Sequence, residues 1–147
     1  MADDRRYGEV GGEGSPDGAV YMINSRASMV ELIACAAHMA NRTYCQTLGD
    51  ESQPLWKDAP EWQRDSACNG VKAVLANPSQ TPEQSHEGWL AQKQMEGWRW
   101  GPAKDPETKE HPCMVPYGQL PENQCYKDTV FLTTVRSMAQ ALGILDK

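Results

Sequence analysis

Cysteine pairs at metal or redox spacing are missing from the 147-residue chain: Cys35, Cys45, Cys68, Cys113 and Cys125 are five in number and none forms a CxxC step. That excludes a zinc ribbon or a thioredoxin-type dithiol, and the odd count points to reduced thiols. Long apolar runs are missing as well. The longest, Met29 to Ala40, is broken by Glu31 and His38 and falls short of the roughly 20 residues that span a bilayer. Met1 to Arg6 leads into Gly, Glu and Pro rather than an apolar stretch, so no secretory leader is expected and the expected compartment is the cytoplasm. Excess positive charge is absent too: 14 Lys and Arg against 20 Asp and Glu leave a formal charge of −6. Such a balance opposes non-specific attraction to nucleic acid or an anionic bilayer, so neither is an expected partner. His38, His86 and His111 fall into no metal-ligand spacing, and neither a metal nor a resident cofactor is expected.

What remains fits a single domain, since domains commonly run about 100–200 residues. Residues 1–24 are rich in Gly and acidic side chains, a composition that predicts a mobile tail. The pattern Gly11-Gly12-Glu13-Gly14 is no phosphate loop, because no apolar strand precedes it and no Gly-Lys-Ser/Thr follows. Residues 25–147 form the expected domain. Ser28 and Glu31 suggest a capping box for a first helix whose apolar face carries Met29, Leu32, Ile33, Ala36, Ala37, Ala40, Tyr44 and Leu48, with Gly49 as its stop. A second helix is expected after Asp58-Ala59-Pro60-Glu61, with Trp62, Val71, Val74 and Leu75 in the core and an end near Asn77-Pro78. Thr81-Pro82-Glu83-Gln84 predicts another capping box and a third helix running to Gly97. Trp98-Arg99-Trp100-Gly101 alternates as a short strand would, and Pro102, Pro106, Pro112 and Pro116 then demand a rigid loop. A last helix opens at Leu120-Pro121-Glu122 and carries Val130, Phe131, Val135, Met138 and Leu142 at helical spacing. The expected fold is mostly α, with about four helices, a short aromatic β segment and a proline-rich loop.

The aromatic composition is lopsided: five Trp and five Tyr, but one Phe. Indoles are large and carry an N–H that needs a partner, so five of them exceed what core filling usually requires and suggest a flat binding surface. His86, Trp89 and Lys93 lie at i, i+3 and i+7 of the third helix and so share one face, while Leu90 turns elsewhere. An aromatic plane beside a titratable ring and a cation suits a purine with a phosphate nearby; the competing reading packs Trp89 into the core and leaves Lys93 solvated. Catalytic sets are weaker. His111 and Cys113 are close in sequence, but two-residue proximity does not make a nucleophile–base pair, and no enzyme is expected.

The run Thr81-Pro82-Glu83, His86, Trp89, Lys93, Gly97-Trp98, Trp100-Gly101, Lys104-Asp105, Lys109, His111-Pro112, Val115-Pro116-Tyr117, Leu120 and Lys127-Asp128 closely resembles the RyR domain. This is the repeat of the cytoplasmic region of ryanodine receptor channels, also found as stand-alone bacterial and phage proteins. Pro54, Trp56, Pro60, Trp62-Gln63, Ser66 and Val71 match the family's lead-in, so the resemblance covers about residues 28 to 143. Trp100 stands where Tyr is more usual. The resemblance implies an adenine-nucleotide site between two repeats, with Trp89 stacking on the base, Lys93 one turn later as the cation and His111 before the loop proline. His86, Trp98, Arg99, Lys109 and Tyr117 complete the candidate ligand-binding set. One repeat per chain then implies a homodimer. Phage members of the family imply a sponge: a protein in the host cytoplasm that binds a cyclic or NAD-derived signal of antiviral defence and lowers its free concentration. Two alternatives stay open, a protein-docking or nucleotide-sensing RyR module and a nucleotide hydrolase working through His111 or His86.

Overall fold

The computed structural model describes residues 25–145. The expected tail over residues 1–24 lies outside them. Four helices carry the architecture: α1 (Arg26–Thr47), α2 (Glu61–Ala76), α3 (Pro82–Met95) and α4 (Glu122–Ala141). Strands β1 (Arg99–Trp100) and β2 (Glu110–His111) pair in parallel, with Arg99 opposite Glu110 and Trp100 opposite His111. Single 3₁₀ turns occupy Trp56–Asp58 and Tyr117–Gln119. The mostly helical fold expected from the periodicity is the one observed. No helix among the described residues is long and apolar enough to cross a membrane.

The main core lies where α1 packs on α2 and α4. Val30, Ile33, Ala34 and Ala37 of α1 meet Val71 and Val74 of α2 and Leu132, Val135 and Ala139 of α4, all buried. Ala34 and Ala37 let the helix axes approach, while each fully buried Val, Leu or Ile contributes about 1.5–3 kcal/mol of hydrophobic stabilisation. The buried stripe of α1 differs from the expected one: Val30 and Ala34 are inside, whereas Leu32 and Leu48 are exposed. Two partner helices, rather than one, set which side of α1 is covered. A smaller cluster of Leu90, Trp98 and Met114, with Trp89 against it, forms between α3 and the proline-rich loop.

Helix ends follow local chemistry, with two corrections. The cap of α1 is Ser25, whose hydroxyl accepts the Ser28 N–H at 3.4 Å, and not Ser28 itself. Arg26 and Ala27 are good helix formers, so the helix propagates back to the earlier serine. Asp58 does not cap α2, because Ala59 and Pro60 are extended and the helix starts at Glu61 without a side-chain cap. A residue before proline is pushed out of helical geometry, which places Asp58 too far upstream. Gly49 and Gly97 adopt φ of 85° and 93°, the left-handed conformation that ends helices where a Cβ would be strained.

The expected core position of Trp62 is overturned. It lies in the first turn of α2, beyond the stretch that meets α1 and α4, and is 40% exposed. Val71 and Val74, further along α2, lie in the core as expected.

Candidate functional site

A cleft of about 290 Å³ opens where α3, the start of α2 and the loop after β2 face α1 and α4. The positioning of α3 is local. Thr81 Oγ1 accepts the Gln84 N–H at 3.1 Å, the Gln84 side chain accepts the Thr81 N–H at 3.0 Å, and Pro82 fixes the first helical residue. From that start the helical repeat turns His86, Trp89 and Lys93 to the cleft, the shared face expected of them.

His86 is buried, and its Nε2–H donates to the Val115 carbonyl at 2.7 Å, tying α3 to the returning loop. A carbonyl can only accept, so Nδ1 is the nitrogen left to face Asp128, 3.8 Å away on α4. Burial pushes the Asp128 carboxyl up to about 6, against the lowering pull of His86 and Lys127. His111 is pushed the other way, down to about 4, by burial first and then by Lys104, Lys127, Lys93 and His86. Its Nδ1 accepts the Cys113 N–H at 2.9 Å, so the neutral ring carries its proton on Nε2. His111 is therefore neutral throughout the physiological range.

The indoles are layered on these rings. Trp89 lies 5.5 Å from His86 and meets His111 edge-on at 5.3 Å, and Trp98 lies 5.9 Å from Trp62. The solvated Lys93 of the competing reading is not observed: the residue is 4% exposed, with its ammonium 5.3 Å from the Trp62 ring centroid and 5.8 Å from that of Trp98. Glu96, at 3.3 Å, meets its charge. Lys104 and Lys127 also line the cleft and make no salt bridge among the described residues. The Lys104 ammonium sits 5.8 Å from the Trp62 centroid, and desolvation, then Lys127, holds it below the usual lysine range.

Of the expected set, His86, Trp89, Lys93, Trp98 and His111 line this cleft. Arg99, Lys109 and Tyr117 do not. Arg99 is exposed and paired with Glu110 at 3.2 Å, and the Lys109 ammonium donates to the Glu96 carbonyl at 2.7 Å, bracing the turn after α3. Tyr117 packs its ring 6.0 Å from His86, while its N–H donates to Glu87. Trp62, Lys104 and Lys127 were outside the expected set, although Lys104 and Lys127 stand within the run that carries the family resemblance and Trp62 in its lead-in. His38 and Asn41 of α1 complete the wall, with His38 Nε2–H donating to the Pro54 carbonyl at 2.7 Å.

The RyR domain family model matches residues 60–144, more than half of the chain, taking in α2, α3, both strands and α4. The helix that precedes this segment, α1, still supplies four of the nine buried residues of the main core and one wall of the cleft. The match and the clustering of the motif's His86, Trp89, Trp98 and His111 around a single cleft agree: the chain belongs to the RyR domain family.

Proposed function

We propose that the cleft binds an adenine-containing nucleotide, cyclic or NAD-derived, and that the protein acts by holding this molecule rather than transforming it. The observation that carries the reading is the meeting of three indoles and three ammonium groups in one cleft of a chain whose net charge is −6. A base needs flat apolar faces, and a phosphate needs fixed cations. Trp62, 40% exposed, and the partly buried Trp89 supply the first. Lys104 and Lys127 supply the second, because two like charges turned into one desolvated cleft are relieved by a bound anion. The Nε2–H of His111 adds a neutral donor.

Two features favour holding over cleavage. Burial raises the Cys113 thiol, which keeps it from being a thiolate nucleophile at neutral pH. The Nδ1 of His111 is already occupied by the Cys113 N–H, leaving a donor and no free base. A stand-alone phage protein with such a site would serve as a sponge, lowering the free concentration of a host antiviral signal. The same reading includes a homodimer, in which a second copy covers the exposed Trp62 and closes the cleft mouth.

A thermal-shift panel of mono-, di- and cyclic nucleotides tests it, followed by heating the best complex and analysing what is released. The expected result is a raised melting temperature and chemically intact ligand, since binding to the folded state adds RT ln(1 + [L]/Kd) to its stability. Altered ligand would establish a hydrolase instead. No shift with any nucleotide would leave the surface to protein docking.

A further inference from the structure

Asn41 stands on the wall of the cleft that α1 contributes, ahead of the segment matched by the family model. Its Oδ1 is buried with no hydrogen-bond partner, and no other side-chain oxygen or nitrogen among the described residues is left so. Buried acceptors are nearly always paired, so an orphaned one on a cleft wall points to a donor that arrives with a ligand. Three donors of α1 and α2 bond elsewhere. His38 donates to the Pro54 carbonyl, the Nε–H of Arg42 donates to the Gln53 carbonyl at 3.1 Å, and the Gln63 amide donates to the Gln53 side chain at 3.0 Å.

A carboxamide has one acceptor and two donors in a plane, which matches a base edge carrying an amino group beside a ring nitrogen. The amide plane is free to turn about its Cβ–Cγ bond without moving the backbone, since that torsion is broad. We infer that Asn41 reads the 6-amino group of an adenine held in this cleft, with its oxygen accepting from the amine and its N–H donating to the adjacent ring nitrogen. The inference rests on the nucleotide reading above. It makes base selectivity a property of α1, outside the matched family segment.

The test is titration calorimetry with ADP and with purine riboside 5′-diphosphate, which has hydrogen in place of the amino group and keeps the ring and phosphates. Native protein should bind ADP about tenfold or more tightly than the analogue. Asn41→Ala should bring that ratio close to one, weakening ADP more than the analogue because only ADP also loses the bond to its amine, and Asn41→Asp, which keeps an acceptor, should preserve the preference. If neither compound binds native protein, the nucleotide reading itself fails. If both bind within twofold, or if folded Asn41→Ala keeps the native ratio, the role of Asn41 is overturned while the nucleotide reading stands. Should Asn41→Ala not fold, Asn41→Asp decides: loss of the preference in that variant also overturns the proposal.

Discussion

His111 and Asp128 face the same cleft with their titrations displaced in opposite senses, and the consequence is a stability profile that neither would give alone. His111 titrates at about 4 when folded against an ordinary 6.5. Between those values the unfolded chain holds more protons, so acidification destabilises the native state, by on the order of 3 kcal/mol across the window. Asp128 titrates at about 6 against an ordinary 3.8, so the native state holds the extra proton and acidification through that window stabilises it by a similar amount. The two contributions oppose, and native stability should vary little between about pH 4 and 6.5 on their account. Asp128→Asn should uncover the His111 contribution as a loss of stability on acidification. His111→Asn should uncover the reverse. Urea unfolding of each variant near neutral pH and at mildly acidic pH checks both signs, and flat profiles in both variants would defeat the account. The lysines divide similarly. Lys104→Ala should weaken nucleotide binding and flatten its salt dependence, because it removes a cation that lines the cleft without a salt-bridge partner among the described residues. Lys93→Ala should chiefly lower the melting temperature, since it removes two cation–π contacts of roughly 0.5–2 kcal/mol each. For Trp62→Ala, whose ring is 40% exposed but touches Lys93, Lys104 and Trp98, the stability cost should be about 1–3 kcal/mol, below the ~3–5 kcal/mol of a core indole, with a further loss in ligand binding. Unfolding and calorimetry on the same three variants separate these outcomes.

At the scale of elements, the helices were legible because their signals are short-range. The Thr81–Gln84 capping box, the proline after it and the left-handed Gly97 are read within a turn of the chain and appear as read. The strand pair was only half legible. Trp98 to Gly101 suggested one strand, but its partner, Glu110–His111, sits inside a proline-rich stretch with no alternation of its own. What permits the pairing is Gly101: a Cβ there would lie 2.5 Å from the Glu110 Cβ. Gly101→Ala should therefore force β1 and β2 apart at a cost of about 1–3 kcal/mol, the usual range for overpacking. Because His111 is on β2, the same variant should also disturb the cleft. Tryptophan fluorescence alongside thermal unfolding measures the two effects, and a native-like spectrum with an unchanged melting temperature would show that the close approach is easily relieved.

For the whole molecule, the decisive relation is between α1 and the segment that follows it. The matched segment, residues 60–144, contains three of the four helices but leaves Val71, Val74, Leu132 and Val135 without the α1 residues that cover them. A chain beginning at residue 60 should accordingly lose cooperative thermal unfolding, and calorimetry on that truncation checks it; a sharp transition near that of the full chain would mean that α1 is dispensable. The composition, caps and spacings by themselves determined a mostly helical domain, the ends of α3 and the shared face of His86, Trp89 and Lys93, because each depends on residues within a few positions of one another. Only the tertiary structure decided that Lys93 is sealed between two indoles while Lys104 and Lys127 line the cleft, that Trp62 lines it half-exposed, and that Asn41 is on its wall. These are juxtapositions of residues from separate elements, and the direction each side chain takes is set by which neighbours desolvate or repel it once the helices have packed.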